Sequence, residues 1–210
     1  QQTQVATVIP YFNIFIKNIP NLKVLAKVNN KKLIKLWEGL GYYSRVRNLK
    51  KTAQVIIKNY NGKLPSNFED LLSLPGIGNY TASAILAIAF DKPYIPLDGN
   101  IERVLKRYLY LKKKKDIQKD NLIKKKSIFG RSSRSSDFAQ ALMELGALIC
   151  KPNNPLCHQC PILKKCKSFK NKDFDLTKNI KRNTDKYFII KVYKKDQRYL
   201  LIKNTKFTFL

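Results

Sequence analysis

The sequence predicts an all-α chain that closes on a short β-hairpin, and three observations carry that expectation. Between Val5 and Cys150, apolar residues recur at the three- and four-residue spacing of helices that face a core. The stretch from Leu74 to Asn100, LPGIGNYTASAILAIAFDKPYIPLDGN, joins a glycine hairpin to an apolar helix and a proline-containing loop, and delivers one carboxylate, Asp98, to the start of the next helical pattern. β-rich runs lie at the far end, Tyr187 to Tyr193 and Tyr199 to Ile202, around a Lys-Asp-Gln turn.

With 210 residues, 44% of them hydrophobic, the chain can hold one large or two small domains with a real core. Lys and Arg number 42 against 14 Asp and Glu, a formal net charge of +28. Such an excess favours a polyanion as partner. Lysine-rich drift in an AT-rich genome would produce the same imbalance, so charge alone leaves both readings standing. No apolar run is long enough to span a bilayer and no signal peptide is visible, so a cytoplasmic protein without a membrane partner is expected. The chain opens on Gln1 without Met inside a helical pattern and closes on FTFL inside a strand pattern, and it reads as a fragment at both ends.

In chain order, Val5, Val8, Ile9, Phe12, Phe15 and Ile16 form one face of a helix that Pro20 ends. Lys31 to Leu40 repeats the pattern with Leu33, Leu36, Trp37 and Leu40, bracketed by Gly39 and Gly41, and Trp37 reads as core. A helix from about Tyr43 to Tyr60 crowds Arg45, Arg47, Lys50 and Lys51 at one end, either a solvated face or a phosphate-facing one. Ser66 with Glu69 predicts a capping box that opens a helix over Asn67 to Leu74. Thr81 to Phe90 is small and apolar enough to be a central buried helix. Asn100 to Tyr110 follows, with Val104, Leu105 and Leu109 inward, and then a basic segment, Lys112 to Lys126, with a helix expected around Ile117 to Ile123. Arg131 to Ser136 reads as a polar loop whose Ser136 caps a helix from Asp137 to Cys150, with Phe138, Leu142, Leu145 and Ile149 inward.

The chemistry-bearing residues fall in two places. In LPGIG, Pro75 stops the preceding helix, while Gly76 and Gly78 allow positive φ and keep Cβ atoms away from an incoming backbone. N–H groups of Gly76, Ile77 and Gly78 ahead of a helix N-terminus make an anion site suited to a phosphodiester, and a tight turn that binds nothing is the competing reading. Cys150, Cys157, Cys160 and Cys166 are the chain's four cysteines, spaced C-x6-C-x2-C-x5-C. Clustered thiols in a reducing compartment argue for a metal centre. Zinc modules usually carry two C-x2-C pairs, whereas four thiolates at uneven spacing suit a [4Fe-4S] cluster. The single histidine, His158, reads as a surface residue.

LPGIG, Asp98 at its distance beyond, and the cysteine spacing together resemble the helix-hairpin-helix DNA glycosylases with an iron–sulfur cluster, the endonuclease III superfamily. Within it, QQTQVATVIPYF, GLGYYSRVRNL, LDGNIERVL and LGALIC are similar to the MutY-type adenine-excising branch, over residues 1 to about 170. The resemblance implies a helix-hairpin-helix glycosylase fold: a six-helix barrel over residues 1–92, a cluster domain over 93–170, a linker over 171–185, and the start of a truncated Nudix-like domain over 186–210. It implies a [4Fe-4S] cofactor, and a monomer that acts on double-stranded DNA carrying adenine opposite 8-oxoguanine or guanine.

What the resemblance implies of single residues follows from the motifs. The endonuclease III branch places a Schiff-base lysine two positions after the hairpin's last glycine; here that position holds Tyr80, and a phenol cannot form an imine. LDGN likewise differs from that branch's V-D-T-H. Excision without strand cleavage is expected. Asp98 would stabilise the oxocarbenium-like sugar, a role its alternative as a helix N-cap does not preclude, with Tyr80 nearby and Asn100 helping to position nucleophile or water. The adenine must be flipped out of the duplex. Gln2, Thr3, Leu40 and Tyr42 would fill or flank the gap and touch the oxidised guanine, Tyr42 as a stacking wedge, while Gln140 meets the adenine edge. The branch's general acid, a glutamate four residues before Gln1 in this numbering, would precede the chain, and its loss is expected to cost about 10² to 10⁴ in rate. With only the first hairpin of the Nudix-like domain, discrimination of 8-oxoguanine from guanine is expected to weaken. Two other readings stand beside this one: a pyrimidine-lesion glycosylase with lyase activity, against which Tyr80 argues, and a non-catalytic mispair-binding module.

Overall fold

The computed structural model describes residues 5–111 and 133–174, together with the backbone of 194–195 and 198–199. Its helices are α1 (Val5–Asn18), α2 (Leu22–Lys27), α3 (Asn30–Leu36), α4 (Tyr43–Asn59), α5 (Phe68–Ser73), α6 (Asn79–Ile88), α7 (Gly99–Leu109), α8 (Ser135–Glu144) and α9 (Lys167–Lys170). A π-turn, Leu145–Ile149, extends α8, and single 3₁₀ turns at Cys157–Gln159 and Leu163–Lys165 carry the cysteine loop. The fold is mostly helical, as the periodicity predicts.

Three apolar clusters hold these helices. Ile19, Leu25, Leu33, Val46 and Ala53 join the loop after α1 to α2, α3 and α4. Ile56, Leu71, Leu74, Ala82 and Leu86 join α4, α5 and α6. Ile95, Ile101, Val104, Leu105, Leu142 and Leu145 join the loop after α6 to α7, α8 and the π-turn, with Cys150, Cys160 and Ile162 packed against them. The helix α6 is central: Ala82, Ser83, Leu86 and Ala87 are all fully buried. Burial of a leucine-sized side chain is worth about 1.5–3 kcal/mol, so these clusters outweigh the weak propensity of such short helices.

Several expectations are corrected. α2 was not foreseen; Asn21 caps it, accepting from the Val24 N–H at 3.0 Å. α3 ends at Leu36 rather than Leu40, because Gly39 takes φ +93 and the Trp37 indole N–H donates to the Gly41 carbonyl at 2.9 Å, closing a loop. α5 is capped by Asn67, whose oxygen accepts from the Asp70 N–H at 2.8 Å, and not by Ser66. The Asn67 amide, one residue nearer the helix, takes the entrance, and the Ser66 carbonyl accepts from Lys92. α8 begins at Ser135 without a side-chain cap, and the Ser136 N–H donates to Asp91 at 2.8 Å. In α7, Val104 and Leu105 are buried while Leu109 is half-buried. In α1 the predicted inward face is largely exposed, Ile9 at 53% and Phe12 at 59%. Among the described side chains of that stripe, Phe15 packs against the core and makes a T-shaped contact with Trp37 at 6.2 Å.

Residues 171–174, expected as the start of a linker, dock on α7 instead: Tyr110 donates to Asp173 at 2.9 Å and Arg107 to the Phe174 carbonyl at 3.3 Å. The basic segment Lys112 to Lys126 lies outside the described residues, as do Gln2 and Thr3. Residues 178–210 form a second unit. In it Lys194–Lys195 (β1) pairs antiparallel with Arg198–Tyr199 (β2), Lys194 opposite Tyr199 and Lys195 opposite Arg198. The remainder of the two β-rich runs lies outside the described residues. Among the described residues no helix is long and apolar enough to cross a membrane.

Candidate active site

The hairpin is fixed from α4. Thr52 donates its hydroxyl to the Pro75 carbonyl at 2.8 Å, and the Ile77 N–H closes the turn on the Leu74 carbonyl at 3.1 Å. Gly76 takes φ +79, and a Cβ there would lie 2.7 Å from Asn48 Cβ, so both conformation and space demand glycine. Gly78 differs from expectation: its φ is −101, and a Cβ would meet nothing within 4 Å. Gly78 is therefore not held by the fold's own sterics. It opens α6, whose first N–H groups lack intrahelical partners, and Tyr80 lies half-buried in that first turn. Arg45, Arg47 and Lys51 are exposed on α4.

Asp98 caps α7, accepting from the Ile101 N–H at 2.7 Å, and is half-buried. The cap orients the carboxylate and leaves its second oxygen outside that bond. Two residues on, Asn100 accepts from Arg103 at 3.0 Å. The same guanidinium donates to the Gly146 carbonyl at 2.6 Å and to the Cys150 carbonyl at 2.8 Å. The π-turn explains why Gly146 is available. Cys150 N–H bonds back to Leu145 at 2.7 Å, one residue farther than in an α-helix, which frees the Gly146 oxygen for Arg103. Gly146 also packs on Asn100 so closely that a Cβ would lie 2.9 Å from Asn100 Cβ. Burial draws the Arg103 guanidinium down from its ordinary value; Cys150 and Asp98 oppose that, while Arg107 reinforces it. Asn100, Arg103, Gly146 and Cys150 thus form one hydrogen-bonded arrangement, and Asp98 caps the helix that carries Asn100 and Arg103.

The four thiols are half-buried and unpaired by disulfides. Burial pushes the Cys157 thiol up, and Cys150, Cys160 and Cys166 add to the shift, so the four sulfurs lie within electrostatic reach of one another. Burial raises Cys160 also, against the Ile162 N–H. Beneath them Arg107, 5% exposed, donates to Cys150 Sγ at 3.5 Å and to the Lys151 and Pro152 carbonyls at 2.6 and 2.7 Å, and stacks on Phe174. Among the described residues no three His, Cys, Asp or Glu side chains close around a single ion. A cubane takes one thiolate at each of its separate irons, so four soft donors spread around one loop fit that group. His158 is exposed and faces Gln159, consistent with a surface residue.

Other expected residues stand apart from this arrangement. Leu40 lines an apolar cavity of about 420 Å3 with Phe12, Phe15 and Trp37. Tyr42 is 63% exposed on the loop before α4. Gln140 is exposed and donates to Ser136 of its own helix at 3.2 Å. Arg103, Arg107 and Gly146 were not singled out from the sequence. Two arginines one helical turn apart, following the capping aspartate, were the available signal.

A model of the HhH-GPD superfamily of base excision DNA repair proteins matches residues 1–127. An adenine DNA glycosylase of Buchnera aphidicola subsp. Baizongia pistaciae (strain Bp) is 41% identical over 200 residues, covering 92% of this chain and 57% of the relative. The chain thus spans under three fifths of that relative's length. Among solved structures, a thermostable thymine-DNA glycosylase superposes with TM-score 0.69 at 27% identity, covering 81% of this chain and 80% of the other. A trapped endonuclease III–DNA covalent intermediate gives TM-score 0.68 at 26% identity, again covering 81% and 80%. With a glycine hairpin, a capping aspartate and a helical scaffold of this shape, the chain belongs to the HhH-GPD superfamily of base excision DNA repair proteins.

Proposed function

We propose that the protein is a monofunctional DNA glycosylase that removes adenine opposite 8-oxoguanine or guanine and works as a monomer in the cytoplasm. The observation that carries the reading is Asp98, a carboxylate aimed by its own cap at the start of a helix whose Arg103 holds Asn100 and the Cys150 carbonyl. The name borne by the relative at 41% identity supports adenine as the base.

In this reading the hairpin N–H groups of Gly76 and Gly78 hold a strand phosphate, helped by the first turn of α6, while the Ile77 N–H closes the turn that presents them. Tyr42 enters the stack as adenine leaves it, Leu40, Gln2 and Thr3 contact the opposing base, and Gln140 reaches the adenine edge. As the N-glycosidic bond breaks, its electron pair departs with adenine and positive charge grows on the sugar. The second oxygen of Asp98 stabilises that charge, and water completes the hydrolysis. Tyr80 lies near Asp98 in this reading, and Asn100 helps to position the nucleophile or water.

Cys150, Cys157, Cys160 and Cys166 would hold a [4Fe-4S] cluster, which when bound supplies a rigid cross-link for the loop. Arg107 orients that loop by filling its carbonyls, and the lysines around it face phosphates. Residues 1–92 form the barrel, 93–170 the cluster domain, and residues beyond 185 begin a Nudix-like domain.

Single-turnover release of adenine from an adenine:8-oxoguanine duplex, without strand cleavage until alkali is added, tests the reading. A borohydride-trapped protein–DNA imine would instead establish a lyase, and mispair binding without release by a version extended N-terminally through the expected glutamate would establish the binding module.

A further inference from the structure

Tyr42 is a large side chain held in the left-handed region, φ 47 and ψ 52, and its ring is mostly in solvent. Backbone strain of this kind persists only where surroundings impose it. The surroundings here are specific. The Arg45 N–H donates to the Tyr42 carbonyl at 2.9 Å, and the Arg45 guanidinium lies over the Tyr42 ring, 5.3 Å from its centroid. The same guanidinium lies 5.7 Å from the centroid of Trp37. Trp37 is anchored in turn, by its N–H on the Gly41 carbonyl and by a T-shaped contact with Phe15. A chain of contacts therefore runs from the first apolar cluster through Trp37 and Arg45 to Tyr42.

We infer that Arg45 is a positioning residue that makes Tyr42 a two-layer wedge, guanidinium on one ring face and an unstacked base on the other. The inference rests on the reading of Tyr42 as the residue that enters the duplex. A planar cation can stack where an ammonium cannot, and it adds attraction to the strand's phosphates without occupying the free ring face. Preforming the wedge also removes the cost of ordering an exposed tyrosine at the moment of binding. Arg45 had read from sequence only as one charge of a basic face.

The test measures preference for a mispaired over a matched duplex, with 2-aminopurine beside the mispair to report unstacking, for the parent, Arg45→Lys, Tyr42→Ala and the double variant. Arg45→Lys is expected to lower the preference about two- to fivefold, the size of one exposed cation–π contact, and to have no further effect on the Tyr42→Ala background. In the DNA-free protein, ring currents should shift the Arg45 side-chain protons upfield, and Tyr42→Ala should reverse part of that shift. Lysine restoring the parental preference, or the two substitutions acting additively, would overturn the inference and leave the glycosylase reading intact. A parent with no preference for the mispair overturns both.

Discussion

Replacing Asp98 separates two roles that one carboxylate fills. Its Oδ1 caps α7 through the Ile101 N–H at 2.7 Å, a bond that asparagine makes equally well. Asp98→Asn should therefore melt within a few tenths of a kcal/mol of the parent. Catalysis should not survive. A unit charge about 4 Å from a developing sugar cation is worth roughly 4 kcal/mol at an effective dielectric near 20, which corresponds to about a thousandfold in rate. Asp98→Ala loses the charge and the cap, so it should show the same rate loss and a stability loss of about 1 kcal/mol. Single-turnover adenine release and thermal melting on the same preparations give both numbers. If Asp98→Asn releases adenine within tenfold of the parent, the carboxylate is a cap and nothing more, and the mechanism fails.

The remaining predictions concern what surrounds it. Gly146→Ala forces a Cβ to 2.9 Å from Asn100 Cβ, so it should destabilise by about 1–3 kcal/mol and slow release more than it weakens duplex binding. Arg107→Met strands the Lys151 and Pro152 carbonyls, and should cost about 2–4 kcal/mol and lower bound iron, read by visible absorbance and metal analysis. Gly76→Ala meets Asn48 at a positive φ and should weaken binding to mispaired and matched duplexes alike, with a shallower salt dependence in a filter-binding or anisotropy titration. Removing iron with a chelator under oxidising conditions should lower the melting temperature and make the cysteine loop sensitive to protease, while Cys166→Ser should bind less iron from the start.

The hairpin, the capping aspartate and the four thiols were legible because each is a local pattern. A PGxG turn, an Asp ahead of a helical repeat and a C-x2-C pair are set by residues a few positions apart, and physics at that range repeats from protein to protein. Helix interiors were legible for the same reason, and their ends less so. Ser66 and Asn67 both qualify as caps on paper, and only the position of Lys92 and the first turn of α5 favours the second.

The sequence by itself thus determined which groups are present and the helices that carry them: the hairpin glycines, Asp98, the cysteine set and an all-helical scaffold. Tertiary structure alone decided how they connect. Arg103 reaches Gly146 and Cys150 across more than forty positions because a π-turn releases a carbonyl there, and Arg45 stacks on Trp37 and Tyr42 because a closed loop turns both rings toward it. Local propensity cannot encode such contacts, since their energy exists only once distant helices have docked.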